Sequence, residues 1–143
     1  VIAGRPAQRD AAEAFEHDLA RPRRRRERLG PDVPLAADVN GTWSVAETRQ
    51  RLARLAPLGL RYLEQPTSPG DWQAFAEAGA ASPIPLMADE GLKGPGDIEA
   101  LARLGPPFMA HLKIVKAGGP RPLIAAARRL AQAARERSEE QTR

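Results

Sequence analysis

From Val33 onward the chain alternates short apolar runs with stretches that repeat apolar residues at helical spacing, the pattern of βα units around a parallel sheet. The pattern predicts strands at 33–38, 60–64, 84–89 and 108–113. The helices between them have readable starts. Ser44-Val45-Ala46-Glu47 has the form of a capping box, and Val45, Leu52, Leu55 and Ala56 follow on one face until Pro57 and Gly59 stop them. Ser68 with Pro69 is expected to open the next helix, whose Trp72, Phe75 and Ala76 read as core packing against the sheet. Gly94-Pro95-Gly96-Asp97 introduces a helix carrying Ile98, Leu101 and Leu104, and the last helix is expected from Leu123 to about Arg135. The N-terminal part is less regular. Ala11 to Leu29 is helical in composition, but Pro22 falls inside it and Arg26 stands where an apolar residue should point inward, so a kinked, broken or poorly packed helix is expected.

The fold class that follows is α/β, with about four to five consecutive parallel βα units over 33–135. A degenerate N-terminal segment occupies 1–32, and 136–143, without apolar periodicity, is expected to fray as a disordered tail. At 143 residues the chain can bury a core but is too short for a closed eight-unit barrel, which takes about 250. Val1 in place of Met reads as a processed or partial product.

Each predicted strand ends on a charged residue: Asp38, Glu64, Asp89 and Lys113, spaced 24 to 26 residues apart. C-terminal ends of parallel strands share one mouth, so three carboxylates and an ammonium should converge there. Three carboxylates repel one another unless a hard cation compensates them. Mg²⁺ suits such an all-oxygen site and leaves positions for water and substrate oxygens, with Mn²⁺ as a substitute. Near a bound cation and partly buried, Lys113 would have a depressed pKa and could act as a general base. Metal and lysine together are equipment for removing a proton alpha to a carboxylate.

Composition narrows the alternatives. With no Cys there are no disulfides or thiolate ligands, which fits a reducing, cytoplasmic setting. No apolar run reaches about 18 residues, so neither a membrane span nor a leader is expected. The net charge of +4 raises nucleic acid as a partner. However, the excess is concentrated in the run Arg21 to Arg28, which contains no aromatic residue to stack a base, so a solvated helix face is the expected reading.

The motifs Asp38-Val39-Asn40-Gly41-Thr42-Trp43, Glu64-Gln65-Pro66, Asp89-Glu90 and Leu112-Lys113-Ile114-Val115-Lys116-Ala117-Gly118-Gly119, in this order and at βα spacing, resemble the C-terminal barrel domain of the mandelate racemase and muconate lactonizing group of the enolase superfamily. The resemblance covers roughly residues 20–135. It implies a partial (β/α)8 TIM-type barrel in which Asp38, Glu64 and Asp89 ligate Mg²⁺ and Lys113 is the acid/base lysine of the sixth strand. Asn40 would support the metal or contact substrate. Glu90 should point away from Asp89 on an extended strand, and the Asp-Glu pair looks like the muconate lactonizing type, where it supports the lysine. Lys116, three residues past Lys113, would face the other way on a continuing strand, and His111 is expected to be a packed or solvent-facing imidazole.

There are departures too. The family's Lys-x-Lys at the end of the second strand is missing, the comparable stretch Val1-Ile2-Ala3-Gly4 holding no lysine, and the capping domain and the first, seventh and eighth strands have no counterpart. An incomplete barrel leaves sheet edges and an inner face open, so self-association is expected. Three readings follow. The first is a Mg²⁺-dependent racemase, epimerase, cycloisomerase or dehydratase domain for a small carboxylate substrate. The second is a non-catalytic remnant or assembly module that keeps the ligands, and the third an Arg-rich nucleic-acid binder.

Overall fold

The computed structural model describes residues 11–105 and 107–142. Helix α1 (Ala11–Leu29) is followed by strand β1 (Leu35–Asp38), helix α2 (Val45–Leu55) with a 3-10 turn at Ala56–Leu58, strand β2 (Leu60–Glu64) and helix α3 (Trp72–Gly79). Then come β3 (Leu86–Ala88), α4 (Pro95–Leu104), β4 (Met109–Ala110), the short α5 (Ile114–Ala117) and α6 (Pro120–Gln141). The strand stub expected at 1–4 lies outside the described residues.

The four strands are parallel and lie in chain order, β1-β2-β3-β4. Sequential order with right-handed crossovers places the connecting helices α2, α3 and α4 on one face of the sheet. Ala37, Leu63, Leu86 and Ala88 are buried on that face with Leu52, Leu55 and Phe75 of α2 and α3. The alternate positions face the other way, where Ala36 is exposed and Tyr62 and Met109 are half-buried. This is the arrangement of consecutive units of a (β/α)8 barrel, with the barrel's inner face open.

Strand β2 spans its whole apolar run, whereas β1 and β3 start late, each just after a proline, Pro34 and Pro85. A proline has no N–H to give a ladder. The chain nevertheless stays in register past the strand ends, with Val39 N donating to Glu64 O at 3.0 Å, Gln65 N to Met87 O at 2.7 Å and His111 N to Ala88 O at 2.8 Å.

Helix starts follow side-chain chemistry. Ser44 Oγ accepts from Glu47 N at 3.2 Å while Glu47 Oε2 accepts from Ser44 N at 2.9 Å, the capping box expected from the sequence. Helix α3 is capped by Asp71, whose Oδ1 accepts from Ala74 N at 2.9 Å. Ser68 does not open it; Ser68, Pro69 and Gly70 form the loop before the cap. Helix α6 begins at Pro120 and runs to Gln141, past the end of its apolar periodicity and through most of the stretch expected to fray. Arg129 anchors it to α4 through both oxygens of Glu99, at 2.8 and 2.9 Å, and Arg137 donates to Arg103 O.

Helix α1 runs unbroken across Pro22. Two anchors hold it: Phe15 and Leu19 are buried on the N-terminal side of the proline, and Arg26 binds carbonyls on the other. Arg26 Nε donates to Leu58 O at 2.8 Å, Nη1 to the carbonyls of Gly30, Pro31 and Val33, and Nη2 to Gly59 O at 3.1 Å. The inward arginine is therefore a tie between α1 and the turns before β1 and β2. The remaining arginines of the run, at 21, 23, 24, 25 and 28, are exposed. No helix among the described residues is long and apolar enough to cross a membrane.

Candidate metal centre and base

The register builds the site. Asp38 pairs with Glu64, Glu64 with Met87 and Met87 with Met109, so these four side chains share the open face. Asp89 and His111 each lie two residues further along their segments and project from that same face. The result is a group of three donors, Glu64, Asp89 and His111, whose ligand atoms all lie within 4.8 Å of one another. His111 Nδ1 is 2.6 Å from Glu64 Oε1.

Asp89 is the most enclosed of them, 3% exposed. Its two oxygens are held separately, Oδ2 by Lys113 Nζ at 2.5 Å and Oδ1 by Lys116 Nζ at 2.7 Å. Burial pushes the Asp89 carboxyl up, but the hydrogen bonds and charges of Lys113 and Lys116 together outweigh it, and its pKa lies below the ordinary range. Lys113 is raised from the ordinary lysine value here, whereas the depression expected from the sequence belongs to a centre with a bound cation. Its hydrogen bond to Asp89 raises it, burial opposes this, and the charges of Asp89, Glu64 and Glu90 add to the rise. In this arrangement Lys113 is an ammonium.

An uncharged residue fixes the centre from behind. Gln65, buried and at a left-handed φ of 36°, accepts from Asp89 N at 2.9 Å and Gly91 N at 3.0 Å through Oε1 and donates to Thr67 O at 3.0 Å through Nε2. It holds the Asp89 segment against the end of β2. Asp38 is half-buried and lies outside the three-donor group; its Oδ1 accepts from the backbone N of Asn40 at 3.0 Å. Asn40 is exposed at a left-handed φ of 56°, a conformation that Asn tolerates better than most residues. Glu90 is half-buried, and its Oε2 is enclosed without a hydrogen-bond partner.

One expectation about this face changes, and a second is extended. Lys116 was expected to point away, on the premise that the strand continues. Instead the strand ends at Ala110, Lys113 takes the N-cap position of α5, and a turn of helix brings Lys116 back over Asp89. His111 is solvent-facing, as expected, and its Nδ1 in addition meets Glu64. The signal was present in the sequence, since His111 and Lys113 are two apart on an extended segment and so share a face. Gln65 had no such signal beyond its place in the Glu64-Gln65-Pro66 motif.

The donors suit a divalent cation, since two carboxylates and an imidazole are gathered. Beside them a cavity of about 450 Å³ is lined by His111, Lys113 and Lys116 on one side and by Ile98, Pro122 and Ala125 on the other.

Comparison with known proteins agrees with this geometry. Residues 3–137 match the family described as enolase C-terminal domain-like. An N-succinyl-L-Arg/Lys racemase of Bacillus cereus is 33% identical over 110 residues, which is 76% of this chain and 30% of that protein. Muconate cycloisomerase 1 of Rhodococcus opacus is 35% identical over 82 residues, 57% of this chain and 22% of that one. The crystal structure of muconate cycloisomerase from Pseudomonas fluorescens superposes with a TM-score of 0.80 at 30% identity, covering 94% of this chain and 35% of that chain. The chain thus spans about a third or less of the length of these relatives. It belongs to the enolase C-terminal domain-like family.

Proposed function

We propose that this chain carries the metal-and-base half of a proton-abstraction centre for a small carboxylate substrate, of the racemase, epimerase, cycloisomerase or dehydratase kind. Asp38, Glu64 and Asp89 would hold Mg²⁺, or Mn²⁺ in its place. The observation that carries the reading is the contact of Lys113 Nζ with Asp89 Oδ2 at 2.5 Å, a base candidate in direct touch with a buried ligand candidate. A bound divalent cation supplies charge neutralisation for an enolate oxygen.

The chain's own residues then have separate tasks. With a cation on Asp89 in place of its ammonium, Lys113 would leave Asp89, release its extra proton to solvent and, as the neutral amine, accept the α-proton at Nζ. Lys116 keeps Asp89 oriented from its other oxygen. Glu90 adds negative charge near Lys113 and steadies the ammonium once formed. Asn40, exposed at the mouth, offers its amide to substrate. A reducing, cytoplasmic setting suits a chain without cysteine. The relatives' names, a racemase and a cycloisomerase among them, support the reaction class.

The test is deuterium incorporation from heavy water into a panel of acidic and dipeptide substrates, with Lys113→Ala as the control. Exchange above the control supports the proposal, and exchange equal to it sinks the catalytic part. One observation favours the second reading, a non-catalytic module: Asp89 is already neutralised by two ammonium groups and so is compensated without a metal. That reading expects no exchange of the α-proton whether or not Mg²⁺ binds, and equal calorimetric heats with Mg²⁺ in the native chain and an Asp38→Ala, Glu64→Ala variant would sink the metal site.

A further inference from the structure

We propose that His111 is a metal ligand in its own right, giving this centre a nitrogen donor and a preference for first-row transition ions over Mg²⁺. The proposal rests on the reading that Glu64 and Asp89 hold a divalent ion.

The placement of His111 is built by the sheet. His111 N donates to Ala88 O at 2.8 Å, which continues the β3–β4 ladder one step beyond Ala110 and turns the ring to the face of Glu64 and Asp89. Its Nδ1 lies 2.6 Å from Glu64 Oε1, and its ligand atom falls within 4.8 Å of those of both carboxylates. The ring is 44% exposed, so it is not locked into the core and can rotate to meet an ion. The Lys113 side chain is 36% exposed and has solvent to move into when an ion takes its place on Asp89 Oδ2.

Donor chemistry gives the consequence. Mg²⁺ demands oxygen ligands and keeps much of its water, so an imidazole adds little to its binding. Co²⁺, Ni²⁺ and Zn²⁺ accept imidazole readily, and divalent affinity rises along the Irving–Williams order. A site of two carboxylates and one imidazole should therefore separate the two classes of ion more widely than carboxylates alone.

The experiment is calorimetric titration of the native chain and of His111→Asn with Mg²⁺ and with Co²⁺, accompanied by proton NMR of the Co²⁺ complex. The expected result is a Co²⁺ affinity that falls by about 10- to 100-fold in His111→Asn, the range seen when a group supporting a metal site is lost, while Mg²⁺ affinity is unchanged. The native complex should show a paramagnetically shifted, exchangeable imidazole N–H that is missing from the variant. If His111→Asn weakens both ions equally, or the shifted N–H persists, the assignment of His111 is overturned and the carboxylate site stands. If neither ion binds the native chain, the metal reading itself fails and this inference falls with it. Circular dichroism of His111→Asn guards against loss of fold, and a His111→Gln variant provides a second test of the same contrast.

Discussion

Gln65 combines a buried position with a positive φ, and three hydrogen bonds explain why the conformation persists. Removing the side chain would leave the N–H groups of Asp89 and Gly91 unsatisfied in the interior, each costing about 1–3 kcal/mol. Gln65→Ala is therefore expected to lose about 2–4 kcal/mol in urea unfolding and to weaken divalent-ion binding through misplacement of Asp89. Unchanged stability with weakened metal binding would show that Gln65 only aims the ligand.

Asp89 itself has a defined pH signature. Its folded pKa is lowered, so its contribution is present above the unfolded value of about 3.9 and is lost as pH falls through the lower folded value. Lys113 is raised, so its contribution is present below about 10.4 and is lost as pH rises through the higher folded value. Asp89→Asn should then be less stable by a difference that is flat between about pH 5 and pH 9 and narrows below about pH 4. Its size at neutral pH is expected near 1–3 kcal/mol, held down because the lysines are partly solvated. Thermal unfolding across that range reads it directly.

At the scale of elements, Arg26 carries the attachment of α1. Its guanidinium reaches carbonyls on both Leu58 and Gly59 and on the turn after the helix, joining segments that lie more than thirty residues apart. Arg26→Ala should destabilise the chain by about 2 kcal/mol in chemical denaturation, whereas the exposed Arg24→Ala should stay within about 0.5 kcal/mol. Equal effects would mean that the basic run acts through its total charge. How much was legible in the sequence follows the same division between local and distant causes. The capping box of Ser44 and Glu47 and the stop at Gly59, in the left-handed region at φ 60°, are local and were readable. Asp38 and Glu64, read as strand ends from their even spacing, pair across the sheet. The misses came where one element changes into another. Nothing at Ile114 announces that extended chain becomes helix, yet that change brings Lys116 onto Asp89. Arg26 looked like a defect because its acceptors are backbone carbonyls, which leave no side-chain pattern. Helix α6 outlasts its apolar stripe because Arg129 and Arg137 tie it to α4 by polar contacts.

At the scale of the whole molecule, the sheet has four strands among the described residues where a closed parallel barrel has eight. Among the described residues nothing pairs the outer edge of β4, and the face that would line a barrel shows Ala36 exposed with Tyr62 and Met109 half-buried. Next to β4, Val115 of α5 is 88% exposed and Ile114 55%. Unpaired strand edges and grouped apolar side chains are both surfaces that associate in water. A second copy of this chain would bring four more parallel strands, so that β4 of each copy could pair with β1 of the other and the strand count would reach that of a barrel. On an eight-strand ring the two β4 strands would then lie opposite each other, each presenting its own Lys113 to a common mouth. The 143-residue chain is accordingly expected to sediment as a dimer at high concentration, to dissociate on dilution, and to lose the dimer in an Ala36→Lys variant, which places a charge on the inner face at the β1 edge. Ala36→Lys alters an exposed position, so its fold should survive, as circular dichroism would verify. A native chain that sediments as a monomer at every concentration would overturn the barrel-closing dimer. Larger species unaffected by Ala36→Lys would show that association runs through the exposed apolar residues of α5.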